Sequence, residues 1–305
     1  MTVHQGIDPP LGTVGTSLGR TEVAHRLALA IVPVDAVTRR AAPPGVRVGR
    51  ETTRSLVRRP NIDPQRLAIP VRASAAYILL HDPTIPPQPS PLPNDPSPVR
   101  PPEIALRLTD PAGRFVPRRF TVPIWTLGEI RRPDAEPPSG PVIPAMSRSI
   151  RPWLMPGAAY GVPGGATGIR TRVLREGEPA RWARVELFDA AGNRLGWGHC
   201  DEHGQVLVLL DRLGSGIPSA PVDIAIRIHV PSGDEQTVGN TATDPLWDLV
   251  REPLPREPLP PPPPVQDDVT IGVAVPDGYL TSAQDVVRPV VPGRITALAD
   301  VIFTP

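Results

Sequence analysis

Forty-six of the 305 residues are proline, and this feature limits the fold more than any other. That is about three times the usual ~5%. A proline has no backbone N–H to give a sheet and breaks a helix interior, so much of the chain is committed to loop or spacer. The length alone would hold about two domains of roughly 100–200 residues each. Taken together, length and proline content predict two compact modules joined by extended segments; with the strand patterns described next, the expected chain is mostly β, two small antiparallel β-sandwich modules joined by proline-rich linkers, with a C-terminal β tail.

The clearest strand signals lie in 168–210. Ala183, Val185 and Leu187 alternate with Arg184, Glu186 and Phe188, the two-residue period of a half-buried strand. Asp189-Ala190-Ala191-Gly192-Asn193 supplies a turn, and Leu195, Trp197 and His199 continue on a second strand. Asp201-Glu202-His203-Gly204 turns the chain again, and 206–210 returns as a third strand. The order of Gly168, Val173, Gly177, Pro179, Ala183, Val185, Leu187, Gly192, Asp201, Gly204 and the apolar strand from Val206 resembles the carboxypeptidase regulatory-like (transthyretin-like) β-sandwich domains. With the alternating run 222–230 included, the resemblance covers 168–230. Cys200 stands where that family usually has threonine. The resemblance implies a non-catalytic accessory or structural module with no active site.

Elsewhere the pattern is weaker. Residues 1–20 read as a flexible arm. Residues 21–128 read as an N-terminal sandwich-like module, with strands at Leu27, Leu29 and Ile31, at 45–48, 76–80 and 104–108, and a closing strand over 115–125. Pro117 and Pro123 within that last run predict an edge strand. The stretch 34–48 faintly echoes the layout of the second module, as a diverged copy would. Ten prolines between 83 and 102 predict a long loop over 83–103. Residues 129–167 read as an extended linker, but Trp153, Met155 and Tyr160 within it are too apolar to be left exposed, so part of it is expected to pack on the second module or on another protein.

After the 168–232 module, 233–265 reads as an anchoring turn and a spacer. Trp247 and Leu249 would be the anchors. The sequence Arg251-Glu252-Pro253-Leu254-Pro255 repeats as Arg256-Glu257-Pro258-Leu259-Pro260 and runs into Pro261–Pro264, a polyproline II spacer of about 40 Å. The tail, 266–305, carries strand-like runs at 269–275 and 294–303. Two strands cannot bury a core alone, so the tail is expected to add strands to an upstream sheet or to another subunit. Removing it is expected to leave 168–230 folded while abolishing association.

Net charge is +1, and all 32 basic residues are arginine. Arginine and acidic residues are interspersed, and the local pairs Arg39-Arg40, Arg58-Arg59, Arg118-Arg119 and Arg131-Arg132 make no continuous basic face; with few aromatics, this argues against nucleic-acid binding. The single Cys200 excludes an intramolecular disulfide framework. The N-terminus lacks the basic and apolar regions of a signal peptide, and no window approaches a membrane span, so synthesis in the cytoplasm without membrane insertion is expected.

Candidate sites are few. His199, Cys200, Asp201 and His203 are metal-ligand types, but strand alternation sends His199 and Cys200 to opposite faces and the turn accounts for Asp201 and His203. Cys200 has no base beside it to make it a nucleophile. His229 falls on the outer face of its strand and reads as solvated. No nucleophile elbow, phosphate loop or His-Glu-x-x-His is present. No catalytic residue, cofactor or metal is therefore assigned.

Residues expected to contact partners are Trp153, Met155, Tyr160, Trp247, Leu249, Ile271, Val273, Ile295, Val301 and Phe303. Function is expected to be structural: an adaptor subunit binding other protein subunits of a multimeric assembly. The layout of 170–210, with Trp182-Ala183-Arg184-Val185 before the Asp-x-x-Gly turn, more loosely resembles regulatory-like proteins of bacterial phage-tail-like contractile injection systems. That resemblance implies a cap, baseplate or sheath-associated role, possible release as part of a particle, and arms that tie subunits together. An exported adhesin or surface module is the alternative, and an accessory protein to a zinc peptidase is a third reading.

Overall fold

A computed structural model describes residues 27–51, 76–81, 102–133, 138, 140–211, 220–233, 244–255 and 267–305, together with the backbone of 12–17, 20–25, 65–66 and 134. The chain is mostly β, built from several short-stranded sheets. The loop expected over 83–103 and the second copy of the Arg-Glu-Pro-Leu-Pro repeat lie almost wholly outside the described residues. Part of the expected N-terminal arm is paired: Gly12–Ser17 and Arg20–His25 form an antiparallel hairpin.

The largest N-terminal sheet runs in the order Arg251–Pro253, Arg118–Pro123, Glu103–Thr109, Arg47–Glu51, Gln65–Arg66. Alternation sets its two faces. Ile104, Leu106, Leu108, Phe120, Val122 and Val48 point inward and are all buried. They meet Leu29 and Ile31 of the Leu27–Ile31 strand, which pairs with Tyr77–Leu80 on one side and Ser149–Ile150 on the other.

Two expectations are corrected here. Arg118–Pro123 is flanked on both sides, antiparallel by Glu103–Thr109 and parallel by Arg251–Pro253, so it is not an edge. Pro117 and Pro123 bracket the strand and do not interrupt it. Residues 129–167 are not a linker running between sheets. Ser149–Ile150 pairs with Ala30 and Ile31, and Trp153–Leu154 pairs with Val34 and Asp35, both in parallel. Just before, Leu127–Arg131 is a short helix closed by a capping box, with Thr126 Oγ1 accepting from the Glu129 N–H and Glu129 accepting from the Thr126 N–H.

The C-terminal sheets enclose a second apolar cluster. Ile169 and Val173 from Gly168–Arg175, with Val206 and Val208 from Gln205–Leu209, supply one side. Val185 and Leu187 from Arg184–Phe188, with Ile224, Ile226 and Ile228 from Val222–Pro231, supply the other. Arg194–His199 pairs with Arg184–Phe188 and passes close to the opposite sheet. At Gly196 a Cβ would stand 2.5 Å from the Leu209 carbonyl oxygen, so only glycine fits that approach.

The tail returns to both sheets of this cluster. Tyr279–Thr281 and Val286–Val290 pair antiparallel with Val222–Pro231, while Ile295–Ala297 and Val301–Ile302 pair parallel with Gly168–Arg175. Val290, Val301 and Phe303 are buried in the cluster. The strand expected over 269–275 is replaced by a single helical turn, Asp268–Ile271. Asp267 caps its start by accepting from the Thr270 N–H, and Gly272 at φ 77° stops it. These two end signals outweigh the β-branched run between them.

Three reversals of direction share one turn. In Asp110-Pro-Ala-Gly113-Arg114, Asp189-Ala-Ala-Gly192-Asn193 and Asp201-Glu-His-Gly204-Gln205, the glycine N–H donates to the aspartate carbonyl at 2.9, 3.0 and 3.1 Å. Each aspartate carboxylate also accepts backbone N–H bonds from the residues two and four positions on. Glycine is required by the left-handed φ, and at Gly204 also by space, since a Cβ there would lie 2.6 Å from the Val173 carbonyl oxygen.

Candidate functional site

The most unusual chemistry in the described residues is a pair of ionic clusters where the sheets, the 244–255 segment and the tail meet. Arg118 lies in phase with Phe120 and Val122, so the strand's own alternation carries a guanidinium inward to the end of the core, stacked over Phe120 at 4.5 Å. It is 1% exposed. A buried charge of this kind is tolerated only when it is paired and fully hydrogen-bonded. Arg118 is: Nε and Nη2 donate to the two Glu252 carboxylate oxygens at 2.9 and 2.6 Å. Its Nη1 donates to the carbonyls of Trp153 and Thr270, and Nη2 to that of Val269.

Glu252 is delivered by the short Arg251–Pro253 strand and takes a second arginine. Arg184 Nη2 stands 2.9 Å from Glu252 Oε2, and its Nη1 donates to the Gly272 and Ala274 carbonyls. His199, directly opposite Arg184 in its ladder, completes the group. Its Nε2 lies 2.9 Å from both Arg184 Nη1 and the Gly272 carbonyl. The result is an Arg–Glu–Arg triad joining the N-terminal sheet, the C-terminal sheet and the first turn of the tail.

The electrostatics follow from burial and charge. Burial alone would raise the Glu252 carboxyl, but the charges of Arg118 and then Arg184 override it and hold the group at about 2. Burial, followed by repulsion from Arg184 and Arg118, pushes the His199 imidazole well below its usual range, so it is neutral. Burial raises the Tyr279 phenol to about 12. Its hydroxyl donates to the Trp182 carbonyl at 3.1 Å. The cavity left among these groups is about 10 Å³, the lower limit of what one water molecule needs.

A second cluster covers the outer face of the N-terminal sheet. Arg107 and Arg119 are directly opposite each other across the ladder, an arrangement that would repel without acceptors. Glu51 bonds Arg119, Arg107 and Arg251 at 2.7–3.0 Å, and Asp244 holds the other end of Arg107 at 2.8 and 2.7 Å. Burial opposes ionisation of Glu51, but the Arg119 hydrogen bond and charge, then Arg107 and Arg251, hold it at about 2. A polar cleft of about 430 Å³ opens beside this cluster, between Arg50, Glu51, Glu103 and Arg251.

Apolar contacts flank the ionic ones. Trp153 and Trp197 stack at 6.1 Å between centroids, bringing the 149–154 segment against the C-terminal sheet. Val116, Trp182, Leu246 and Leu249 form another buried group. Trp182 adopts the left-handed φ of 59°, which is strained for a large residue. Its indole N–H donates to Asp248 Oδ1 at 2.8 Å, and Arg181 bonds the same carboxylate.

The residues expected at a partner surface are mostly enclosed by the chain itself. Trp153, Met155, Leu249, Val273, Val301 and Phe303 are buried, and Tyr160, Trp247, Ile271 and Ile295 are half-buried. Tyr160 donates to the Asp35 carboxylate at 2.9 Å. The His-Cys-Asp-His run is dispersed: His199 enters the junction, Cys200 the core, Asp201 the turn, and His203 solvent. Among the described residues no three His, Cys, Asp or Glu side chains converge as metal ligands. His229 is buried, not solvated, because the tail covers that face. Its Nε2 lies 3.1 Å from Glu186 Oε2 and its Nδ1 2.9 Å from Thr281 Oγ1.

Sequence reasoning missed Arg118, Arg184 and Glu252. The one available signal was Arg118 in phase with a core strand. No helix in the described residues is long and apolar enough to cross a membrane. No family model matches the chain, and neither the curated proteins nor the solved structures compared with it include a significant match.

Proposed function

We propose that the chain is a non-catalytic structural or adaptor subunit of a large protein assembly, binding other protein subunits and using neither nucleic acid nor a cofactor. The carrying observation is the Arg118–Glu252–Arg184 triad. Its charged groups are consumed by fixed intramolecular bonds in a nearly dry junction, with Glu252 held at about 2, far from where a proton would be exchanged at neutral pH. Such a junction locks sheets together. A locked scaffold suits a part that transmits or resists force between neighbours.

The resemblance of 168–230 to regulatory-like sandwiches supports the same reading, and the looser resemblance of 170–210 narrows it to a cap, baseplate or sheath-associated component of a contractile injection system assembled in the cytoplasm. The test is native purification of the chain from its own cells, with electron microscopy and mass identification of co-purifying chains. The expected result is recovery in a large particle with fixed stoichiometry. Recovery only at the cell surface, outside any particle, would overturn it in favour of an adhesin.

A further inference from the structure

We propose that the tail, residues 267–305, is an exchangeable donor segment, and that the partner fitting the edges it fills is a second copy of this chain. The proposal rests on the adaptor reading above and specifies its partner. Every tail strand pairs with Gly168–Arg175 or Val222–Pro231, and among the described residues no ladder joins two tail strands. The tail therefore has little structure of its own to keep it with its own chain. Its order comes from whichever sheets accept it.

The acceptor is equally incomplete without the tail. Arg118 and Arg184 would lose the Val269, Thr270, Gly272 and Ala274 carbonyls, and the core would lose Val290, Val301 and Phe303. The covalent tie between tail and acceptor runs through 256–266, whose sequence includes Pro258 and Pro260 to Pro264. Proline-rich connections favour extended conformations over tight reversals. Exchange of an identical element between copies preserves every contact seen within one copy, so it is a low-cost route to association. One tail given to the next copy in turn makes a chain of subunits.

The test uses full-length protein. Arg170 and Ala297 are exposed register partners on the Gly168–Arg175 edge, and Cys200 is buried. Arg170→Cys and Ala297→Cys are made as separate, differently tagged chains, co-expressed, purified and oxidised. Exchange predicts a gain of interchain disulfides between position 170 of one tag and position 297 of the other, above the level of same-position pairs. The double variant in one chain, oxidised at high dilution, shows by intrachain closure that the pair is competent and the protein folded. Closure in that control, with interchain bonds no more frequent than same-position pairs, overturns the proposal. Should the control fail to close, Ala225→Cys and Val287→Cys on the opposite edge are read in the same way. Purified chain needs no other subunit for this result, so it stands apart from recovery of the native particle.

Discussion

Arg118 Nη2 lies 2.6 Å from Glu252 Oε2 although the residues are 134 positions apart, and neither side chain reaches solvent to any useful extent. This pair, with Arg184 as its third member, joins three segments that are distant in the chain. The N-terminal sheet presents one guanidinium, the C-terminal sheet another, and the 251–253 strand places the carboxylate between them.

Loss of that carboxylate leaves two buried guanidinium groups facing each other. Glu252→Ala is expected to cost about 3–5 kcal/mol, as removal of one partner of a buried ion pair does. Replacing Glu252 by Leu together with Arg118→Met and Arg184→Met removes the buried charges but should restore only part of that stability, because the Trp153, Thr270 and Ala274 carbonyls then lose their guanidinium donors. Denaturant unfolding of the single and triple variants checks both.

Acid should weaken the junction within a defined window. Glu51 and Glu252 both ionise at about 2 in the folded chain, below the ~4.3 of an unperturbed glutamate. Folded values below unfolded ones mean that the stabilisation is complete above about pH 4.3 and is lost as pH falls through about 2. Circular dichroism across that range should show unfolding of the native chain, with a smaller pH dependence in Glu252→Gln.

The tail belongs to the folded core. Val290, Val301 and Phe303 are buried, and burial of each such side chain is worth about 1.5–3 kcal/mol. Their loss alone approaches a whole domain's stability of about 5–15 kcal/mol. Deletion of 266–305 should therefore unfold 168–230, contrary to the expectation from sequence. Proteolysis of the truncated protein measures it.

At Gly204, alanine would have to accept a left-handed φ of 70° and a Cβ 2.6 Å from the Val173 carbonyl oxygen. The backbone cost alone is about 1–2 kcal/mol. Gly204→Ala should lower the thermal midpoint more than Gly192→Ala, where the φ is similar but no atom lies within 4 Å.

Sequence and structure agree best where alternation is long. The runs 104–108, 184–188 and 222–230 are strands because apolar residues recur at every second position along them and one face is buried. The 127–167 region hid its strands because they are two residues long, too short for any period to register. Arg107 and Arg119 sit in outward phase on their strands, yet a remote segment carrying Asp244 and Arg251 covers them. Glu252 was the least legible residue of the junction. It occurs in the first of two identical Arg-Glu-Pro-Leu-Pro units, and nothing in its local sequence marks it for burial.

The most direct measurement of a locked scaffold is guanidinium unfolding followed by two probes. Tryptophan fluorescence reports the surroundings of all five tryptophans, the Trp153–Trp197 stack between the N-terminal and C-terminal sheets among them, and far-ultraviolet circular dichroism reports the strands of both. Coincident single transitions are predicted, since the triad and the tail join the sheets into one cooperative unit. A fluorescence change completed before the strands unfold would contradict it.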